Sequence, residues 1–308
     1  MVKDQLKLHL IVFIWGFTSI LGKEISLPAV EVVFYRTLIA SLALLVLLVV
    51  LGRKIILKPR AIIYFVAVGM LVGAHWITFF ASARISKISI CLAGMATTSL
   101  FTALLEPIIN RTKVKWYELV LGFVVILGLY TIFQFELEHI NGLLLALLSA
   151  CLGAVFTIIN ARFTKVYAPL TITFYEMIGA CLFTVIFFPI YIKYFTSTGS
   201  LDLSMEGLDF IYMLLLAIIC TVYAFYASIE IMKRISAYNV NLTTNLEPVY
   251  GIILAFFIYG EAEKMSDGFY AGTLIILSSV MIYPYLDKKI GKWERAKAAR
   301  KDANKKAA

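Results

Sequence analysis

Glu247 is the residue best placed to do chemistry in this sequence. It is the tenth residue of a 22-residue apolar stretch, 238–259, and is followed by Pro248. An acid buried at that depth of an apolar helix costs at least a few kcal/mol and is a functional suspect by default. Pro248 removes a backbone donor and frees a carbonyl one turn back, that of Thr244; a kinked or broken helix there would offer backbone groups to a cavity. Asn241, Asn245 and Pro248 fall at i, i+4 and i+7, one face of a helix. Asparagine supplies both donor and acceptor, suited to amino or hydroxyl groups of a bound molecule. Thr244 and Glu247 form the adjoining stripe. This pattern predicts binding of a cation, or exchange of a proton, at Glu247. The competing reading is a packing helix whose acid is satisfied by neighbouring helix ends.

Other apolar stretches carry chemistry at similar depth. Thr98, Thr102 and Glu106 recur at i, i+4 and i+8 along 88–109, with Thr98 central. Along 61–82, His75, Phe79 and Ser82 share a stripe beside Trp76 and Phe80. Along 210–231, Thr221, Phe225 and Ser228 do the same beside Tyr223 and Tyr226. Aromatic walls suit a ring-bearing molecule that polar tips then orient, although packing alone is the plainer account of any single one. His75 titrates near neutrality and joins Glu247 as a candidate for proton coupling; a hydrogen-bonded structural role is its alternative. Trp15 lies too deep in 7–25 for an interfacial belt and is read as facing a cavity. The substrate-binding set is therefore Trp15, His75, Phe79, Thr98, Tyr223, Asn241, Asn245 and Glu247. Arg36 and Glu176, each about two turns into a stretch, are read with Pro248 as structural or gating residues that pair locally or snorkel.

These residues are positioned by ten apolar stretches: 7–25, 30–51, 61–82, 88–109, 117–135, 141–161, 170–194, 210–231, 238–259 and 268–286. Each has about the 20 residues that a helix needs to cross a bilayer. The composition agrees: of 308 residues 61% are hydrophobic and only 15% charged, with a mean hydropathy of +0.90. Too few polar residues remain to cover a soluble fold, which excludes a soluble enzyme, a disordered regulator and a nucleic-acid-binding domain. The net charge of +9 is a topology signal. All but six of the 28 Lys and Arg fall on the side that carries the N-terminus. Lys23, Arg84, Lys87, Lys193 and Lys264 fall on the other, and Arg36 lies within a span. The positive-inside rule makes the basic side cytoplasmic, with both termini inside. The first span follows Lys3 and Lys7 without a clear cleavage site and is expected to be retained. Residues 288–308 form a basic cytoplasmic tail. Cys91, Cys151, Cys181 and Cys220 sit in apolar spans at unrelated spacings, as small apolar residues. No metal site or cofactor is implied. His9, His75 and His139 lack the spacing of a metalloprotease motif, so no enzyme is expected.

The chain repeats itself. Phe34-Tyr35-Arg36 returns as Phe174-Tyr175-Glu176, Phe80-Ala81-Ser82 as Tyr226-Ala227-Ser228, and Arg84-Ile85-Ser86 as Arg234-Ile235-Ser236. Gly16 and Gly153 open the series, and Gly122 and Gly272 continue it. Five spans per copy is an odd number, so the second copy must enter from the opposite side. The expectation is an all-α membrane protein of ten transmembrane helices in two inverted five-helix repeats, 1–137 and 138–287. Many secondary transporters share that symmetry, with the substrate site at the repeat interface near mid-membrane. Gly69-xxx-Gly73 and Gly268-xxx-Gly272 allow close helix contact, within one chain or in a homodimer.

The sequence resembles the drug/metabolite transporter superfamily, specifically EamA-like permeases, over nearly its whole length. Trp15-Gly16, Arg36, Arg234-Ile235-Ser236-Ala237, Leu246-Glu247-Pro248 and Gly260-Glu261 carry the likeness. The first copy departs, with Thr98 where the repeat offset expects the counterpart of Pro248. The resemblance implies movement of small polar metabolites across a cytoplasmic membrane, often as export. The expected function is thus an integral bacterial inner-membrane secondary transporter, an exporter of a small polar or amphipathic, amino-acid-like metabolite that works by alternating access. No Walker A motif is present to couple it to ATP. Its partners are a small-molecule substrate and the lipid bilayer, with no nucleic acid. A passive channel or uniporter is the alternative, and an intramembrane enzyme the remote one.

Overall fold

A computed structural model describes the backbone of residues 2–307 apart from Lys54, Ile56, Lys113, Val114 and Glu136, and most side chains as far as Ile290. Lys54 and Lys113 of the charge pattern, and the side chains of 291–308, lie outside the described residues. The backbone of that tail is helical and continuous with the last span, in one helix over Asp267–Ala307.

Among the described residues no strand occurs, and nine helices are long and apolar enough to cross a membrane. In chain order spans 1 to 4 are Lys3–Glu24, Ala29–Val50, Pro59–Ile85 and Ile88–Asn110. Spans 6 to 10 are Ile140–Phe163, Pro169–Tyr194, Asp209–Ile231, Ala237–Ala262 and Asp267–Ile290. Span 5 is the 20-residue helix Trp116–Phe135, with the shorter apolar core Val120–Ile132. The chain is an all-helical integral membrane protein. A helix satisfies its own backbone groups, which lipid cannot do. Large apolar side chains such as Val46, Val50, Ile63, Phe123 and Phe257 face outward, while Arg36, His75, Glu176, Asn241 and Glu247 are buried.

Several helix pairings recur when the two halves are exchanged. Span 3 packs on span 7 as span 8 packs on span 2; span 4 packs on span 6 as span 9 packs on span 1. Spans 2 and 7, 4 and 9, and 5 and 10 pair with their own counterparts. Small residues bring these helices together, because packing rather than water exclusion drives association in lipid. A Cβ at Gly69 would lie 2.7 Å from the Cα of Glu176, and one at Gly73 would lie 3.1 Å from that of Ala180. Gly128 and Gly272 press backbone on backbone between spans 5 and 10, at 2.8 and 2.6 Å by the same measure. The Gly69, Gly73 and Gly272 contacts are thus within the chain.

Three spans are interrupted. Span 1 breaks after Gly16, span 4 between Met95 and Thr98, and span 9 between Thr244 and Glu247. In span 9 Pro248 occupies the first turn of the following helix, where its missing N–H costs nothing. Span 4 breaks at the equivalent position with no proline. There the Thr97 hydroxyl donates to the Gly94 carbonyl and the Thr98 hydroxyl to Met95, each at 2.7 Å. Such back-bonding competes with the helix ladder. Span 8 instead winds into a π-helix over Leu215–Tyr223.

Candidate functional site

Spans 1, 2, 3, 4, 6, 8 and 9 enclose a cavity of about 740 Å³, counting the open space at its mouth. Trp15, Trp76, Phe79, Phe156 and Phe225 form its apolar wall. The rings brace one another: Trp76 and Phe225 lie 5.7 Å apart between centroids, and His75 and Phe156 5.2 Å. Toward the face that bears the termini the cavity runs past Asn160, Met232 and Val240. On the opposite face polar contacts close over it. Arg84 donates to the carbonyls of Gly22 and Ile25, at 2.6 and 2.8 Å, and Lys87 donates to that of Lys264 at 2.9 Å. Tyr259 reaches Glu24 at 2.6 Å, and Asp209 accepts from both the backbone and the hydroxyl of Ser26.

Two ionisable groups of opposite type, one basic and one acidic, face this cavity. Arg36 is 1% exposed. Its Nε donates to Thr221 Oγ1 at 2.6 Å, and its guanidinium lies 3.8 Å above the centroid of Trp76. A desolvated cation over an aromatic face gains about 2 kcal/mol. Nη1 has no partner among the described residues. The π-helix of span 8 prepares this contact. Thr221 donates its own proton five residues back, to the Leu216 carbonyl, which leaves its oxygen to accept from Arg36. The same irregular turn leaves the Cys220 carbonyl to accept from the Trp15 indole, at 3.1 Å. π-Bulges of this kind recur at functional sites.

Glu247 is 7% exposed and begins the helix after the break in span 9. The positive end of that helix favours its negative charge. Glu247 and Arg36 are within electrostatic reach but do not touch; Glu247 makes no hydrogen bond or ion pair among the described residues. A bound molecule could therefore place a negative group at Arg36 and a positive one at Glu247.

Of the residues expected from sequence, Trp15, His75, Phe79, Thr98, Asn241 and Glu247 line the cavity, and Arg36 joins them. Arg36 pairs locally but does not snorkel, because the aromatic floor and Thr221 hold it inside. Tyr223, Asn245, Pro248 and Glu176 are not part of the lining. Tyr223 is 42% exposed on the outside of the bundle, because the π-helix turns it away from the stripe an α-helix would give. Asn245 donates to Ser99 Oγ at 2.6 Å, and Asn241 to Thr102 Oγ1 at 2.7 Å. The amide stripe thus ties span 9 to span 4, and only Asn241 also reaches the cavity. Pro248 shapes the helix start. His75 is tied to span 6: its Nδ1 lies 2.8 Å from the Ser149 carbonyl, and the Ser149 hydroxyl donates to the His75 carbonyl at 2.9 Å.

Sequence reasoning missed span 6. Gly153, Thr157 and Asn160 all line the cavity and recur at i, i+4 and i+7, a legible small and polar stripe. Behind it lies Glu176, fully buried in span 7. Asn160 Nδ2 donates to Glu176 Oε2 at 3.2 Å, while Glu176 Oε1 and Asn160 Oδ1 have no partner. Among the described residues no group of His, Cys, Asp and Glu could hold a metal ion.

Comparison with known proteins adds a family. The model of the EamA-like transporter family matches residues 6–134 and again residues 140–283. An S-adenosylmethionine uptake transporter of Rickettsia prowazekii (strain Madrid E) is 23% identical over 302 residues, covering 94% of this chain and 97% of that protein. One of Rickettsia conorii (strain ATCC VR-613 / Malish 7), named for the same uptake, is 22% identical over the same lengths. A solved crystal structure shares the fold, with a TM-score of 0.67 at 14% identity, covering 94% of this chain and 99% of that one.

Proposed function

The chain belongs to the EamA-like transporter family, and on that premise we propose that it carries a zwitterionic, ring-bearing metabolite across a bacterial cytoplasmic membrane by alternating access. The observation that supports this reading is the unbridged pair of Arg36 and Glu247 across an aromatic cavity. Arg36 would take a carboxylate, for which its planar donors are suited. Glu247 would take an ammonium or sulfonium, and the rings of Trp15, Phe79 and Phe156 would take a flat base or side chain. Thr98 and Asn241 supply further polar groups at the helix breaks.

The Rickettsia proteins are named for S-adenosylmethionine, which has a carboxylate, an amine, a sulfonium and an adenine ring. It is the first substrate to test. The termini lie in the cytoplasm under the positive-inside rule, so this cavity faces inward. Residues 1–137 and 138–287 would rock against each other, with 288–308 as a basic cytoplasmic tail. A carrier of this kind runs either way as gradients dictate. Export is what the sequence resemblance implies, and uptake is what the relatives are named for.

The test is counterflow. Proteoliposomes preloaded with unlabelled S-adenosylmethionine should take up the labelled compound faster than empty ones, and Glu247→Gln should weaken that. Flux indifferent to internal substrate would mean a channel, and no flux at all would remove this substrate.

A further inference from the structure

We propose that Glu176 is a proton-binding site that couples transport to a proton gradient, with Asn160 linking it to the cavity. The inference rests on the transport reading above, and it places the coupling proton on neither Glu247 nor His75. Glu176 is 0% exposed, and Asn160 Nδ2 donates to its Oε2 at 3.2 Å. The remaining oxygens of both groups, Glu176 Oε1 and Asn160 Oδ1, are buried without partners among the described residues. One proton on Oε1 resolves this. The carboxylic acid then donates to Oδ1 while the amide donates to Oε2, and the two groups form a closed, neutral pair. A bare carboxylate would leave both buried acceptors unsatisfied, with no cation among the described residues to balance the charge, which is costly in a helix bundle.

The charged and titratable groups on the elements around span 7 are engaged elsewhere. Span 2 holds Arg36 on Thr221 and Glu31 near the backbone of Asp202; span 3 holds His75 on Ser149, Arg60 on Tyr64 and Arg84 on Gly22. Glu230, in span 8, pairs with Lys7, and Arg162, in span 6, reaches the Ile109 carbonyl. On span 7 itself Tyr175 donates to the Ile55 carbonyl. None of them supplies a counter-charge to Glu176. Glu247, by contrast, shares its cavity with Arg36.

Asn160 is the only member of the pair that lines the cavity. In one half-cycle the Oε1–H bond breaks and the proton passes to cavity water, leaving a carboxylate still held by Asn160 Nδ2–H. In the other half-cycle the carboxylate recovers a proton from water on the opposite side.

Two measurements on the full chain test this. The first needs no substrate. In lipid at neutral pH, an infrared difference spectrum of wild type against E176Q should show the carbonyl band of a protonated carboxylic acid. Absence of that band overturns the proposal. In the second, vesicles containing a pH dye receive S-adenosylmethionine. Wild type should move protons with substrate, in either direction, whereas E176Q should show only the signal of empty vesicles. Counterflow needs no net proton transfer and should persist in E176Q, because a glutamine can pair with Asn160 as the acid does. E176D, which keeps an acid, should retain some proton movement. Proton movement undiminished in E176Q overturns the proposal, as does loss in E247Q with E176Q intact. If wild type shows no counterflow with this compound, the substrate reading fails and the infrared band decides the present one.

Discussion

Replacing Gly69 with alanine tests the packing that holds the site together. The added Cβ would lie 2.7 Å from the Cα of Glu176 and 2.8 Å from its carbonyl carbon, with the carbonyl oxygen closer still. Ordinary contact begins at 3.4 Å, so span 3 or span 7 must retreat by at least 0.7 Å to clear the Cα, and further to clear the carbonyl oxygen. Every obstructing atom is backbone, and no side chain can rotate aside. Overpacking of this kind costs about 1–3 kcal/mol, and the upper half of that range applies when a whole helix must move. Gly153→Ala is the control. Its Cβ would meet His75 at 3.5 Å and Thr98 at 3.7 Å, which is normal contact. Thermal unfolding of purified protein should place Gly69→Ala clearly below wild type and Gly153→Ala close to it. The methyl at 153 would instead narrow the cavity and weaken substrate binding. Equal melting temperatures for Gly69→Ala and wild type would refute the close approach of spans 3 and 7.

Glu247→Gln removes one charge-assisted contact, worth about 1.5–3 kcal/mol. It should raise the Kd for S-adenosylmethionine by roughly tenfold to a hundredfold, whereas Glu230→Gln should lose only the half-exposed pair with Lys7, about 0–1 kcal/mol; equilibrium binding to purified protein separates the two. Thr221→Val deletes the hydroxyl that accepts from Arg36, so binding of carboxylate-bearing substrates should fall more than binding of their methyl esters in the same assay. Arg84→Gln weakens the contacts to Gly22 and Ile25 that close the far face. A cysteine introduced at Ser26 should then react faster with a membrane-impermeant thiol reagent added from that side.

The ten helices could be read from sequence because lipid imposes one rule on every span, whereas which span packs on which could not. Trp15, Thr98 and Glu247 were legible as cavity residues by their depth in a span, and His75, Phe79 and Asn241 by the polar or aromatic helix stripes they share. Tyr223 falls outside this lining for a local reason: periodicity assumes 3.6 residues per turn, and the π-helix of Leu215–Tyr223 breaks that spacing. For Arg36 the sequence leaves local pairing and snorkelling both open, because depth along a helix says nothing about the Trp76 face that holds it. Asn160 and Glu176 sit on neighbouring helices, and nothing in the order of residues brings their side chains together. The break in span 9 was visible through Pro248, whereas the one in span 4 was not, since threonine sits as readily in the unbroken helices of this chain.

That difference between the two breaks has a mechanical meaning. Span 4 has no proline at its break, where the two hydroxyl bonds of Thr97 and Thr98 are each worth about 1 kcal/mol. Straightening span 9 would require an amide hydrogen that Pro248 does not possess. The two copies therefore match in shape but not in the residues that form their joints. In the alternating-access reading proposed above, a stroke that exchanges their poses would link two states that are not equivalent, even in an empty molecule.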